Sequence, residues 1–270
     1  MTNPDPNLAA VTSAVLQKSK YEHIQPGLVE QLAARELVKG RKPKEAIKEV
    51  SAKLHQIGAA YFKLAPQYAH WLDELASLPN DPLSEDVRTF ALQVMQAHSS
   101  TAERLPILAE FYADILAPLG PLESVFDLAC GLNPLALPWM PLQAGARYFG
   151  CDIFSDLIAF DNAFLRHCGL DAHLETADIF HFEFKQPVQA ALLLKSLPCL
   201  EQLEKGAAGA LVDAVPAQFL LVSYPIRSLG GRSKGMRQTY NAQFKALTAN
   251  KKWKITQYEF SSELAFLVEK

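Results

Sequence analysis

Long apolar runs are absent from this 270-residue chain: no segment approaches the roughly 18 apolar residues of a membrane-spanning helix, so no helical span is expected. The first residues, Met1-Thr-Asn-Pro-Asp-Pro6, lack a basic stretch followed by an apolar core, so no secretory leader is read and a cytoplasmic location is expected. Cysteine is scarce. Cys130, Cys151, Cys168 and Cys199 form no C-x-x-C pair and have no histidines at zinc-ligand spacing, which argues for free cytosolic thiols and against a metal centre. No local sequence suggests a His-based dyad around Cys130 or Cys199, so nucleophilic cysteine catalysis is not expected. Two further absences are local. The chain has no G-x-G-x-x-G turn after a strand-like run, and it has no Asp or Glu between Ala214 and Tyr258. What it does have, 49% hydrophobic and 20% charged residues, is enough for a substantial core in one or two domains.

The run Val125-Phe-Asp-Leu-Ala-Cys-Gly-Leu-Asn-Pro134 reads as a buried strand that ends in Asp127, Cys130 and Gly131 and leads into an apolar, helix-like segment. Gly131 lets the backbone turn tightly and approach a ligand where a Cβ would collide. Dinucleotide sites place a glycine where Ala129 stands, to admit a pyrophosphate; a lone glycine after an acidic strand suits a cofactor without phosphate, S-adenosylmethionine. A nicotinamide-dependent oxidoreductase is the reading this turn disfavours. The next strand-like run, Arg147 to Ile153, carries Asp152 at 21 residues beyond Gly131, close to the spacing at which an acid accepts ribose hydroxyls. Asp152 also suits the N-cap of the following helical pattern, and the two roles are compatible. A third run, His173 to Ile179, ends in Asp178, placed at the same sheet edge and within reach of an adenine amino group.

Ala190-Ala-Leu-Leu-Leu-Lys195 and Gln218-Phe-Leu-Leu-Val-Ser-Tyr224 are short apolar runs of the kind that fill a parallel sheet covered on both faces. Helical patterns near 155–168, 200–214 and 233–249 separate the strands, and Trp253–Phe260 and Glu263–Glu269 flank Ser261-Ser262 as a hairpin. The predicted fold class is therefore α/β: a class I methyltransferase, a Rossmann-like seven-stranded sheet with a terminal antiparallel hairpin, preceded by an all-helical N-terminal domain. Residues 1–98 are assigned to the helical domain and 99–270 to the S-adenosylmethionine-dependent domain.

The helical part has apolar positions at helical spacing (Leu28, Leu32, Leu37; Ala46, Ile47, Val50, Leu54, Ile57) broken by Pro26, Pro43, Pro66, Pro79 and Pro82. Between residues 18 and 63, ten bases face five acids, a local +5 hidden inside an overall charge of −3. Lys39, Arg41, Lys42 and Lys44 are its densest point. In the acid-free stretch after Ala214, Arg227, Arg232, Lys234 and Arg237 crowd a loop rich in glycine and serine that follows a predicted strand to the ligand edge. Bases, hydroxyls and glycines beside a cofactor suit phosphate contact, so a polyanionic substrate is favoured over a small metabolite. Tyr224 and Tyr240 stand close enough in sequence to stack on a base, although core packing is the plainer role for both.

At these residues the chain resembles a known family. Asp127-Leu-Ala-Cys-Gly-Leu-Asn-Pro-Leu-Ala136, Lys195-Ser-Leu-Pro-Cys-Leu-Glu201, Tyr224-Pro-Ile-Arg-Ser-Leu-Gly-Gly-Arg-Ser-Lys-Gly-Met-Arg-Gln-Thr-Tyr240 and His98-Ser-Ser-Thr-Ala-Glu-Arg-Leu105 are similar to the aminoglycoside-resistance 16S rRNA (guanine-N7) methyltransferases. The resemblance runs from about His98 to the end; in the helical part it lies in length and character more than in letters. It implies methylation at N7 of a decoding-site guanine in the assembled 30S subunit, and aminoglycoside resistance. Ala102 and Tyr224 depart from the pattern, where a larger polar residue and Phe are usual.

The local reading of His98–Leu105 is a capping box from Ser100 to Glu103. The resemblance adds Arg104 as the partner of the cofactor's methionine carboxylate. The cofactor set is Thr101, Arg104, Asp127, Ala129, Gly131, Asp152, Ile153, Asp178, Ile179 and Leu194. Guanine N7 offers an in-plane lone pair and no proton, so no general base is expected; positioning falls to Lys195, Arg227, Arg232, Met236 and Glu263, with Glu263 accepting from the guanine Watson–Crick edge. The RNA set is Lys39, Arg41, Lys42, Lys44, Lys195, Arg227, Arg232, Lys234 and Arg237. Neither metal, membrane nor DNA is expected, and a monomer is. A methyltransferase for another RNA or atom, or a catalytically silent RNA-binding relative, are the alternatives.

Overall fold

Proline opens each of the first three helices. In α1 (Pro6–Leu16), α2 (Pro26–Val38) and α3 (Pro43–Ile57), proline at the first helical position gives up a donor that would have no intrahelical partner. Asp5 and Gln25 side chains cap the first two. The computed structural model describes residues 5–62, 65–226 and 235–270, apart from the His181 side chain. Four more α-helices precede the sheet among the described residues: α4 (Tyr68–Leu75), α5 (Glu85–Met95), α6 (Ser99–Arg104) and α7 (Leu108–Ile115).

Seven strands follow: β1 (Leu122–Leu128), β2 (Leu142–Asp152), β3 (Asp171–Thr176), β4 (Val188–Leu194), β5 (Ala217–Pro225), β6 (Lys254–Glu259) and β7 (Glu263–Glu269). Their order across the sheet is β3-β2-β1-β4-β5-β7-β6, with β1 to β5 parallel and β7 inserted antiparallel between β5 and β6. The connecting helices are α8 (Ser155–His167), α9 (Leu197–Leu203), α10 (Ala207–Ala214) and α11 (Met236–Thr248). This is the α/β class expected from the alternation of apolar runs. Central strands such as β4, buried at six of seven positions, are apolar on both faces because helices cover both.

Three local expectations change. The segment after Gly131 forms a 3₁₀ helix, Asn133–Trp139, because Pro134 and Pro138 remove donors that an α-helix needs. The single helix expected over 200–214 is two, interrupted at Gly206 (φ +86°), where the Glu201 carboxylate accepts from the Gly206 and Ala208 amides at 3.0 Å each. No capping box forms at Ser100, since α6 already begins at Ser99 and Glu103 reaches Lys195 instead.

Two apolar clusters fill the interior. One lies between a face of the sheet and α9 to α11; the other joins the opposite face to the helices before it. The second cluster is continuous from Val29, Leu32 and Val94 to Leu135, Phe160 and Phe164, so it crosses the 98/99 division, which falls between α5 and α6. Backbone bonds add to this join. The Gln25 amide donates to Ile153 O at 2.8 Å and Ser155 N to His23 O at 2.8 Å, an antiparallel bridge against the loop after β2.

Candidate active site

Parallel register brings the carboxyl ends of β1, β2 and β4 side by side: Asp127 pairs with Gly150 and Leu192, and Leu128 with Cys151. Just beyond, the backbone passes through the left-handed region at Ala129 (φ +53°), Gly131 (φ +51°) and Lys195 (φ +59°). For a residue with a Cβ this conformation costs on the order of 1–2 kcal/mol, and such strain concentrates where a fold must present backbone to a ligand. At Gly131 a side chain has no room: a Cβ would lie 2.9 Å from His98 Cε1.

These turns border a cavity of about 910 Å³, its open mouth included. Eight of the ten residues assigned to the cofactor line it: Arg104, Ala129, Gly131, Asp152, Ile153, Asp178, Ile179 and Leu194. Thr101 and Asp127 do not. The Thr101 hydroxyl is buried and donates to Met95 O at 2.7 Å, which fixes the start of α6. Asp127 is buried behind the turn, accepting from Asn133 Nδ2 at 2.8 Å and the Tyr148 hydroxyl at 2.7 Å. Burial pushes its carboxyl up to about 6, against the pull of Asn133, Tyr148 and Arg104.

Asp152 sits at the end of β2 with Oδ2 accepting from the Gly131 amide at 2.9 Å and Oδ1 from Ile153 N at 2.7 Å. Burial raises its pKa while these amides oppose the rise. The helix after it is capped instead at Phe154, so Asp152 ties two ligand-facing turns together. Asp178 borders the cavity above β3 and accepts from the Phe180 amide at 3.1 Å.

Arg104 is fully buried. Its Nε lies 2.8 Å from Glu263 Oε1, Nη2 donates to Glu263 Oε2 at 3.1 Å, and Nη1 donates to Asn133 Oδ1 at 2.7 Å. Nη1 and Nη2 thus each make one hydrogen bond, Nε is paired with Glu263 by charge, and Arg104 borders the cavity. Lys195, 4% exposed, donates to Ser100 O and Glu103 Oε2 at 3.0 Å each and lies 3.1 Å from Glu263 Oε1. Glu263 is held by both cations. It is 0% exposed between Arg104 and Lys195, and burial is outweighed by these two cations, which hold its carboxyl below the usual range. A buried pair of cations needs a counter-charge, and Glu263 supplies it.

The cavity has a second wall that sequence reasoning did not supply: Leu28, Ile57, Gly58, Tyr61 and Phe62 from the helical part, with His98. His98 stacks on Tyr61 (centroids 5.5 Å) and meets Phe62 edge-on (5.0 Å), and burial, with Lys195 and Arg104 nearby, lowers its pKa to about 3. At neutral pH it is an uncharged ring. Gly58 was the signal available, since a Cβ there would lie 2.7 Å from Phe154 Cε2. None of the three thiols lining the cavity is activated: burial raises Cys130 well above its ordinary value and raises Cys151 and Cys199, and Cys199 Sγ lies 2.9 Å from the Tyr61 hydroxyl.

Of the positioning and RNA sets, Arg227, Arg232 and Lys234 lie outside the described residues. Met236 is partly exposed at the start of α11, beside a groove of about 1400 Å³ that Tyr240 also lines. Tyr224, 3% exposed, stacks on Tyr240 at 4.8 Å and packs on Phe244 and Phe266, so it belongs to the core. Arg237 donates to Phe260 O at 3.1 Å and pairs with Glu259. Lys39, Arg41, Lys42 and Lys44 are exposed together around the α2–α3 turn.

A strand-end cavity with acids on successive strands, in a sheet closed by an antiparallel hairpin, defines a Rossmann-like, S-adenosylmethionine-dependent methyltransferase. Relatives narrow the class. Residues 17–267 match the model of the family described as "Ribosomal RNA methyltransferase (FmrO)", and the chain belongs to that family. It is 35% identical to a 16S rRNA (guanine(1405)-N(7))-methyltransferase of Micromonospora echinospora, over 99% of this chain and 98% of that one. A protein of the same name from Frankia casuarinae is 38% identical over 96% of this chain and 93% of its own length. Among solved structures, the 16S rRNA methyltransferase RmtF in complex with S-adenosyl-L-homocysteine superposes with a TM-score of 0.83 at 30% identity, covering 99% of this chain and 100% of its own.

Proposed function

We propose that this chain transfers the methyl group of S-adenosylmethionine to N7 of the guanine equivalent to 1405 in 16S rRNA, at the decoding site of the 30S subunit, and thereby confers aminoglycoside resistance. One observation carries the reading: a cofactor-type strand-end cavity shares its wall with a buried lysine and a basic helical part, in a chain similar over nearly its whole length to enzymes named for that reaction.

The donor set suits the cofactor. Asp152 and Asp178 line the cavity and suit hydroxyl and amino hydrogens, Arg104, which also lines it, suits a carboxylate, and the Ala129–Gly131 turn suits close backbone approach. Bound there, S-adenosylmethionine supplies an electrophilic methyl on a sulfonium. Guanine N7 needs no deprotonation, so the residues at the cavity mouth act by holding the base in line and excluding water. His98, neutral at working pH, adds no cation to repel a base that becomes positively charged. Glu263 balances Arg104 and Lys195, so Lys195 keeps a fixed position without making the pocket strongly positive.

Residues 1–98 serve for docking on the subunit and 99–270 for transfer, with Lys39, Arg41, Lys42, Lys44 and Arg237 contributing contacts to the rRNA. Labelled-methyl transfer from S-adenosylmethionine tests this directly: incorporation into 30S subunits, with none into 50S subunits, is the expected result. No incorporation into 30S particles refutes it, and tight binding of NADH in place of S-adenosylhomocysteine would return the site to the oxidoreductase reading.

A further inference from the structure

One buried carboxylate in the helical part holds three bases. Glu36, in the last turn of α2 and 1% exposed, places Oε1 2.8 Å from Lys39 Nζ and 2.6 Å from Lys53 Nζ, and Oε2 2.6 Å from Arg41 Nε. Lys39 and Arg41 come from the turn after α2, and Lys53 from α3 across it. A structural ion pair needs one cation; here three surround one anion, leaving a local charge of +2. The cations face outward, their side chains 57%, 39% and 28% exposed. Beside them Val38 is 88% exposed, an apolar side chain with no packing role of its own.

We propose that Glu36 is a positioning residue: it gathers Lys39, Arg41 and Lys53 into a preformed fan whose partner is the phosphate backbone of the RNA substrate, with Val38 packing against the sugar face. The inference rests on the RNA-modifying reading above and deepens it. Long basic side chains lose rotamer freedom when they grip phosphates, and a buried anion that already fixes three of them removes much of that cost before binding. Phosphate oxygens then complete the coordination that Glu36 leaves open on the solvent side, the arrangement expected of contacts that set docking rather than sequence choice.

Charge and position make opposite predictions here, so one substitution separates them. Glu36→Gln raises the net charge by one, and if only net charge mattered, 30S binding would tighten. The proposal expects about tenfold weaker binding to purified 30S subunits in a fluorescence competition assay, because the fan disperses. Affinity for S-adenosylhomocysteine should stay within about twofold, since Glu36 does not line the cofactor cavity. Glu36→Asp keeps the charge but withdraws the oxygens, and should give an intermediate loss; it decides the matter if Glu36→Gln fails to fold. A Lys39→Gln/Arg41→Gln double variant is measured alongside. If that variant weakens binding while both Glu36 variants bind as wild type or tighter, the positioning role is overturned and the RNA surface stands. If the double variant also binds normally, the fan is no RNA contact and the proposal falls. Absence of methyl transfer to 30S by the wild-type chain would instead overturn the function on which it rests.

Discussion

Gly131→Ala tests the cofactor turn through two separable effects. The native φ of +51° disfavours a residue with a Cβ, costing on the order of 1–2 kcal/mol. The added Cβ would also lie 2.9 Å from His98 Cε1 and 3.3 Å from both ring nitrogens. That ring is held between Tyr61 and Phe62 and has little room to withdraw, so overpacking adds roughly 1–3 kcal/mol. Together they predict a loss of about 2–5 kcal/mol, or a fall of some 5–15 °C in Tm for a chain of this size. Thermal unfolding followed by circular dichroism reads the stability, and calorimetric titration with S-adenosylhomocysteine reads the site, where affinity should fall at least about tenfold because Gly131 N also holds Asp152. The same change made in His98→Ala should cost only the conformational part, about 1–2 kcal/mol, giving a double-mutant coupling of at least about 1 kcal/mol. A Gly131→Ala protein within about 0.5 kcal/mol of wild type, or a cycle with no coupling, would refute this account of the turn.

Further outcomes follow from the same geometry. Asp152→Asn should weaken S-adenosylhomocysteine binding by about 10- to 100-fold in calorimetry while leaving the protein folded, because a charged acceptor for ribose hydroxyls is worth roughly 1.5–3 kcal/mol. Lys195→Met should lower methyl transfer to 30S subunits by at least about 100-fold with a smaller change in cofactor affinity, as this buried lysine lines the cavity and is held by Glu103 and Glu263. Asp127, with a folded pKa of about 6 against 3.8 when unfolded, binds its proton more tightly in the folded state, so its contribution is full below the unfolded value and is lost as pH rises through about 6. The unfolding free energy from urea titrations should therefore fall between about pH 4 and 6 by an amount on the order of 3 kcal/mol, and Asp127→Asn should flatten that slope. Expressed in a sensitive bacterium, the chain should protect against gentamicin and kanamycin and leave apramycin active; protection against apramycin would point to another methylated atom.

Much of the sheet is legible in the sequence because parallel strands buried on both faces must be apolar throughout, as in Ala190–Leu194, and because each ends at a change to polar or glycine residues. Asp152 and Asp178 are legible as acids that close strand-like runs at the carboxyl edge of the sheet, and both line the cavity. Asp127 follows the same pattern yet lies behind the turn, since Asn133 from the turn itself and Tyr148 from the neighbouring strand close over it. The ion pairs of Glu263 are not legible, because its partners are 159 and 68 residues away and no local pattern reveals that two buried cations require it. The second wall of the cavity is hidden in a different way. Tyr61 and Phe62 follow a helix end and read as ordinary apolar residues; the Phe62–His98 bridge and the strand-like pairing of Ile24 with Phe154 help bring the helical part against the cofactor turn.

Methylation at N7 leaves a guanine labile to borohydride reduction and aniline cleavage, so the central claim has a direct readout. After incubation of 30S subunits with the chain and S-adenosylmethionine, primer extension across the decoding site should stop at the guanine equivalent to 1405, and nowhere else in the treated rRNA beyond the untreated control. A stop at another guanine, or methyl incorporation without any cleavage, would contradict the account.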